Sequence, residues 1–272
     1  MKKYLLMLFT GILISCSSVA QPPAKTVELL ADSSKDTYGL INGILSPGYE
    51  VVEVSDCSHG SFGPHITQQY DEELGKDVFV FHAHVENDTD RCKKFDRSRT
   101  EIKTYSKSPE STLGVAGETH VYRWKFYLDK GFLASKGFTH IHQIKAIGGP
   151  EESMPTLTYT LRNKNDQQYF EIRFAERMQQ ETIVSEGLEP FLGEWIQVEE
   201  KITYGEQGSL EITLSRKRDN HKLLSYKNDS LRMWKTNATL MRPKWGIYRS
   251  LKNPEQLRDE KVLFADFQLT EF

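Results

Sequence analysis

Past its first fifteen residues the chain has no apolar run long enough to cross a bilayer, so no later membrane-spanning helix is expected. Cysteine is scarce: Cys16, Cys57 and Cys92 are the three in the chain, enough for one internal bridge. There is no low-complexity tract, no internal repeat and no Pro/Gly-rich linker, which leaves residues 31–272 to be read as one domain. Positive charge is not in excess. The formal net charge is −3, which argues against bulk nucleic-acid binding. A local basic groove on an acidic protein still admits an anionic ligand. Helix signals are also few. Asn253-Pro254-Glu255-Gln256-Leu257-Arg258 is the clearest, a single turn with Asn253 as cap and Pro254 at the first helical position.

The first residues have a pattern of their own. Lys2 and Lys3 precede the short apolar stretch Tyr4 to Ile14, too short to span a membrane and built like an export signal. Leu13-Ile14-Ser15-Cys16 resembles a bacterial lipobox, which implies cleavage before Cys16 and lipidation of its thiol. The expectation is a signal peptide over 1–15 and a flexible tether over 16–30. The protein would then be exported and lipid-anchored at the cell envelope, facing the periplasm or the outside, with the lipid as its only membrane contact. In such a compartment Cys57 and Cys92 are expected to pair as a disulfide rather than hold a metal.

What the chain does have is short alternating segments bounded by turn residues, the pattern of an all-β sandwich or barrel. Asp77 to Val85 puts Phe79, Phe81, Ala83 and Val85 on one face; Thr119 to Leu128 puts Tyr122, Trp124, Phe126 and Leu128 on one face. Strands are likewise expected at Tyr169 to Phe174, Trp195 to Tyr204, Leu210 to Leu214 after a Glu206-Gln207-Gly208-Ser209 turn, and Val262 to Leu269. The W-x-x-V-x-x-x-I-x-Y-x-x-x-G-x-L-x-I run starting at Trp195 resembles the central hairpin of concanavalin-like jelly rolls. The expected fold is therefore a β-jelly-roll sandwich of two antiparallel sheets with very little helix.

Three strand segments carry polar groups that a half-buried strand would not hold without use. In Asp96 to Lys103, period-2 alternation sets Arg97, Arg99, Glu101 and Lys103 on one face. Cations in a row suit an anionic sugar, because a guanidinium grips a carboxylate with two parallel hydrogen bonds; a solvated face with cross-strand ion pairs reads equally well. In Phe138 to Lys145 the faces are ambiguous: His140 and His142 share one side, Gln143 and Lys145 the other, unless a bulge re-aims a residue. In Arg242 to Arg249, Trp245 and Ile247 face the core, with Lys244, Gly246 and Tyr248 outward and Gly246 leaving room for a ligand beside the tyrosine.

These three segments, in this order, resemble the jelly-roll polysaccharide lyases, in particular those like glucuronan lyase, heparin lyase I and the alginate lyases. The matching strands are Arg99-Thr-Glu-Ile-Lys103, His140-Ile-His-Gln-Ile-Lys145 and Lys244-Trp-Gly-Ile-Tyr248, and the likeness runs over roughly residues 60–270. The middle motif departs from the family's Q-I-H triplet, so the identity of the base stays open. The resemblance implies β-elimination on a uronic-acid polymer, glucuronan first, then alginate, ulvan or a glycosaminoglycan. Arg99 and Gln143 would stabilise the developing dianion and Tyr248 would protonate the leaving oxygen. His142 is the first choice of base, ahead of His140 and Lys145. Lys103, Glu101, Lys244, Arg249 and His84 would contact substrate. No cofactor is required; Asn87-Asp88-Thr89-Asp90 could hold a structural Ca2+. The expected partner is the anionic polysaccharide, bound by a monomer.

Two other classes fit less well. A non-catalytic carbohydrate-binding lipoprotein on the same scaffold would keep the groove without the Tyr–His pair. A glycoside hydrolase needs two facing carboxylates. No E-x-D-x-E or E-x-D-x-x-E run is present, and Glu199 and Glu200, as sequence neighbours, face opposite ways.

Overall fold

The computed structural model describes residues 24–272; the expected export signal and Cys16 lie outside them. The described chain forms β1 (Lys25–Leu29), α1 (Thr37–Leu45), β2 (Val52–Glu53), β3 (Ile66–Asp71), β4 (Lys76–Ala83), β5 (Arg97–Lys103) and β6 (Thr119–Leu128). There follow β7 (Thr139–Ile147), β8 (Leu157–Lys164), β9 (Gln167–Phe174), β10 (Glu181–Gly187), β11 (Trp195–Thr203) and β12 (Gly208–Arg216). Last come β13 (Lys222–Leu231), β14 (Leu240–Ser250) and β15 (Glu260–Glu271). One sheet runs β13-β12-β11-β6-β15-β4-β3 with β1 also on β15, and the other runs β10-β9-β8-β7-β14-β5-β2. Every pairing between these strands is antiparallel. Seven of the thirteen pairings join strands that are not consecutive in the chain, as in a jelly roll, where long connections carry the chain from one sheet to the other.

Alternation explains how the two sheets close on each other. On β6, Tyr122, Trp124, Phe126 and Leu128 point inward and are buried, while Arg123 and Lys125 stay on the outer face, bonded to Glu199 and Asp266. The inner side chains of β6 meet three aromatics of the other sheet: Trp124 tilts against Tyr159 and meets Trp245 edge-on, and Phe126 stacks on Phe170. Each buried aromatic side chain of this kind contributes about 1.5–3 kcal/mol of transfer free energy. β4 is covered on both faces: Phe79 and Phe81 join the main core, and Val78 and Val80 pack with Trp195 and Leu263 in a second, smaller cluster.

One expectation is corrected here, and one element goes beyond the sequence reading. The tether does not extend to residue 30: Lys25–Leu29 is a strand whose register runs from Lys25 opposite Glu271 to Leu29 opposite Phe267, and Leu29 is fully buried. Its alternation is too brief to stand out in the sequence. Helix α1 was also not anticipated, because two glycines, Gly39 and Gly43, lie within its nine residues and depress helix propensity. It is started by Asp36, whose carboxylate accepts the Gly39 amide at 2.7 Å, and held by burial of Ile41 and Leu45. The expected Cys57–Cys92 disulfide is present, with Cα atoms 6.2 Å apart. It joins the loop before β3 to the loop before β5.

Candidate active site

A cleft of about 490 Å3 lies on the outer face of the sheet built around β7, β14 and β5. Six cations line it, Arg91, Lys94, Arg97, Arg99, Lys145 and Arg162, against the single carboxylate of Asp90. On a chain of net charge −3 that is a local reversal of sign, the electrostatic condition for gathering a polyanion.

The strands place the site in two cross-strand rows. Arg99, Tyr248, His140, Thr160 and Glu171 stand opposite one another from β5 to β9; Lys103, Lys244, Gln143, Thr158 and Arg173 form the second row. A regular β7 could not give both His140 and Gln143 to the same face, since they are three residues apart. A bulge at Ile141 does. It has no partner residue in β8 and is faced by the two residues Gly246 and Ile247 in β14. Ile141 and His142 therefore both turn inward, and His140 and Gln143 both turn outward.

The bulge removes His142, the first-choice base, from the cleft. Its ring is fully buried against Trp124, Tyr159 and Trp245, with Nε2 at 3.1 Å from Glu200 Oε1 of the opposite sheet. Glu199 and Glu200 do face opposite ways, and Glu200 is the inward one. Arg249 also leaves the substrate-binding set. It is buried next to Tyr248 on the inward side and donates to the backbone carbonyls of Arg258 and Ala83, at 2.8 and 3.0 Å. His84 is elsewhere too, turned toward Asp88 beside the end of β4. Gly246 has a different reason from the one expected. Its φ is +141°, and a Cβ there would come within 2.1 Å of the Thr100 carbonyl oxygen. The glycine lets β5 approach rather than a ligand.

His140 keeps a neutral ring at any ordinary pH. Burial pushes it down to about 3, helped by Arg162, Arg99 and Arg173. Its Nδ1 lies 2.8 Å from Thr160 Oγ1. Its ring packs on Phe138 and faces the Tyr248 ring at 6.1 Å between centroids. The Tyr248 hydroxyl accepts a 3.1 Å hydrogen bond from Arg97 Nη1, and the Arg99 guanidinium lies over the Tyr248 ring, 3.5 Å from its centre. Burial raises the Tyr248 pKa, with Arg99 and Arg97 opposing, so the phenol is protonated at neutral pH. Lys145 is lowered to about 8, first by burial and then by Lys244, Arg242 and Arg99. Its Nζ reaches the Ser153 carbonyl at 3.3 Å.

Behind this lining is a buried ion network. Asp90 holds Arg99 through two hydrogen bonds of 2.8 and 3.1 Å, and Glu101 binds Arg99 from the other side. Lys244 donates to Glu53 at 2.6 Å and to Glu101 at 2.7 Å; Lys103 and Arg91 donate to Glu53 at 2.6 and 2.7 Å. Gln143 donates to the second oxygen of Glu101. Burial opposes ionisation of Glu101 and Glu53, but the neighbouring cations, Lys244 first, hold both carboxyls below their usual range. Arg99, Lys103, Glu101 and Lys244 thus meet on one face, but their polar groups are spent on each other.

Sequence reading missed Glu53 and Asp90 as partners of this network, and Arg162 and Arg173 as cations beyond His140. Glu53 sits on the two-residue β2, which gives no periodic signal. Arg162 and Arg173 were findable. Asn165 and Asp166 both have positive φ and make a two-residue turn between Lys164 and Gln167, which fixes the hairpin register. The Asn87 to Asp90 loop does not assemble the oxygen shell that calcium takes: Asp88 is surrounded by imidazole nitrogens and Asp90 by guanidinium groups.

Two layered antiparallel sheets with a polar cleft on one outer face define a β-jelly-roll. The model of the polysaccharide lyase family matches residues 39–267, and the chain belongs to that family; it is a polysaccharide lyase. Among solved structures, it is similar to the endo-β-1,4-glucuronan lyase of the fungus Trichoderma reesei, with 15% identity, TM-score 0.52, and 82% of this chain and 90% of that one covered. An alginate lyase of Aplysia kurodai aligns with 13% identity and TM-score 0.57, covering 90% and 97% of the two chains. One of Klebsiella pneumoniae aligns with 14% identity and TM-score 0.53, covering 75% and 84%. At these identities the likeness is one of fold. No curated protein matches the sequence.

Proposed function

We propose that the protein depolymerises a uronic-acid polysaccharide by β-elimination, with His140 as base and Tyr248 as acid. The observation that carries this is their placement: directly opposite each other on β7 and β14, at the floor of a cleft with six cations and one carboxylate. With the Nδ1 proton given to Thr160 Oγ1, His140 presents Nε2 as a bare lone pair. It takes the C5 proton; the C4–O4 bond breaks, a C4=C5 double bond forms, and the leaving oxygen receives the Tyr248 proton. The negative charge that grows on the uronate carboxylate has to be met by donors already in place. Gln143 retains one amide hydrogen beyond the one given to Glu101, and Lys145 and Arg97 supply charge nearby. Arg99, saturated by Asp90 and Glu101, acts through Tyr248, whose ring it covers and whose deprotonated form it favours.

The polymer proposed first is glucuronan, on the fold likeness to the fungal glucuronan lyase; alginate, ulvan and glycosaminoglycans follow. An exported, lipid-anchored state fits the lipobox-like Cys16 and the Cys57–Cys92 bridge, which persists in oxidising compartments. The test is ultraviolet absorbance on a panel of uronate polymers, because only elimination makes the conjugated unsaturated uronate. A rise on one polymer that His140→Asn removes supports the reading. A rise that survives His140→Asn transfers the base role to Lys145, and no rise on any polymer overturns the proposal.

A further inference from the structure

Away from the cleft, three histidines and an aspartate converge. His59 Nδ1 and His65 Nε2 each lie 2.9 Å from Asp88 Oδ1, and His84 Nδ1 lies 3.2 Å from the same oxygen. All four ligand atoms fall within 4.8 Å of one another. His65 and Asp88 have fully buried side chains, and His59 and His84 are about 15% exposed. Hydrogen bonding alone accounts poorly for this arrangement. One carboxylate oxygen has two lone pairs, yet three ring nitrogens crowd it. The other Asp88 oxygen is already taken by the His84 amide at 2.7 Å. His65 Nδ1 is 2.7 Å from Asp56 Oδ1. A protonated His65 would bridge Asp56 and Asp88 with its two N–H groups; the neutral ring that a metal requires spends its one N–H on Asp56 and turns an Nε2 lone pair toward Asp88 Oδ1.

We propose that His59, His65, His84 and Asp88 bind a divalent transition metal of the zinc class. Three neutral imidazoles and a carboxylate are the ligand chemistry such a cation takes, and bonds of about 2.0–2.1 Å in a tetrahedron put ligand atoms about 3.3 Å apart. The separations to Asp88 are already close to that. Asp56 stands where a carboxylate behind a metal-bound histidine stands, fixing the tautomer that turns Nε2 to the ion. Asp56 is itself fixed by the Tyr38 hydroxyl at 2.8 Å. A solvent-open depression lined by His59, His84 and Asn87 gives an entry path, and the Phe62 ring covers His84 from 4.2 Å.

The ion would have a mechanical role. His65 leads into β3, His84 follows β4, and His59 is two residues from the bridged Cys57. Asp88 is two residues from Asp90, the carboxylate that fixes Arg99 beside Tyr248. A metal here ties the disulfide loop to two strand ends and sets the loop that supports the cleft. The site stands on its own geometry and does not depend on which polymer is cleaved.

The experiment uses tag-free full chain, stripped with chelator and kept oxidised. It is titrated with Zn2+ by calorimetry and with Co2+ by visible absorption, and melted with and without metal. The expected result is one equivalent bound in the micromolar range or tighter, a tetrahedral Co2+ spectrum, and a raised melting temperature. His59→Ala and His84→Ala, at the two accessible positions, weaken binding at least ~100-fold without unfolding the apo protein. Asp56→Asn weakens it ~10–100-fold, and His221→Ala, at an exposed remote site, leaves it unchanged. Absence of stoichiometric Zn2+ or Co2+ binding overturns the proposal, as does binding that survives the His59→Ala/His84→Ala double substitution. Tight Ca2+ binding with no Zn2+ binding overturns the assignment of metal class.

Discussion

Replacing Tyr248 with phenylalanine isolates one oxygen atom. The ring contacts are kept: Arg99 over the face at 3.5 Å and Phe138 at 5.0 Å between centroids. What is lost is the bond accepted from Arg97 Nη1 at 3.1 Å. The Arg97 side chain is 25% exposed and keeps its two bonds to Asp96, so water replaces the phenol. The stability cost is about 1 kcal/mol or less, a shift of about 2–4 °C in melting temperature for a chain of this size. Chemistry responds on a different scale. Losing a positioned general acid lowers kcat by ~10²–10⁴-fold, about 3–5 kcal/mol of barrier, with KM little changed. The assay is the initial rate of ultraviolet absorbance on the polymer found to be cleaved. A companion uronide with an aryl group on O4, whose phenolate leaves without a proton, should restore most of the lost rate. A phenylalanine variant within threefold of wild type in kcat, folded, would refute the assignment. So would a large loss that the aryl substrate does not relieve.

Other perturbations test other parts of the site. Lys145 loses its charge as pH rises through about 8, so KM for the polymer should rise there while kcat stays level, and Lys145→Arg should flatten the rise; a kcat that climbs through pH 8 would make Lys145 the base. Glu101→Gln leaves Arg99 and Lys244 short of a buried counter-charge and should cost about 3–5 kcal/mol, read from the denaturant midpoint. Gly246→Ala forces a Cβ onto the Thr100 carbonyl at positive φ and should cost about 2–6 kcal/mol; an unchanged midpoint would mean that β5 gives way freely.

The sequence was readable wherever strands kept strict alternation. On β5 and β14, Arg99, Glu101, Lys103, Lys244 and Tyr248 face as period 2 requires. On β7 the bulge at Ile141 splits the expected histidine pair and puts His140 on the side of Gln143 and Lys145, and nothing in His140-Ile-His-Gln marks where the extra residue falls. The histidine chosen first lies in the core, and the second choice meets the tyrosine. The ionic partners were hidden for another reason. Glu53 lies 48 positions before Glu101 on a strand of two residues, and Asp90 lies in a loop whose direction is set by the disulfide. The histidine cluster is equally unmarked. Positions 59, 65 and 84 match no ligand spacing and come together only where β3 begins and β4 ends.

The buried network behind the cleft bears on why these residues are there at all. Asp90, Glu53 and Glu101 against Arg91, Arg99, Lys103 and Lys244 is not an economical way to hold strands together. Desolvation takes back most of what such ion pairs return, and well-packed apolar side chains usually serve stability as well or better. Its geometry serves the groups in front of it. Glu101 fixes Gln143, Arg99 and Lys244 at once, and Asp90 grips Arg99 with both oxygens. Four interlocked charges cannot shift singly without leaving one unpaired. Tyr248 is therefore covered by a guanidinium that does not have to reorganise when the phenol gives up its proton. Preorganised dipoles and charges of this kind lower a barrier without a reorganisation cost at the moment of reaction. That is the physical reason for placing so many ionisable groups on strand faces that would otherwise be apolar.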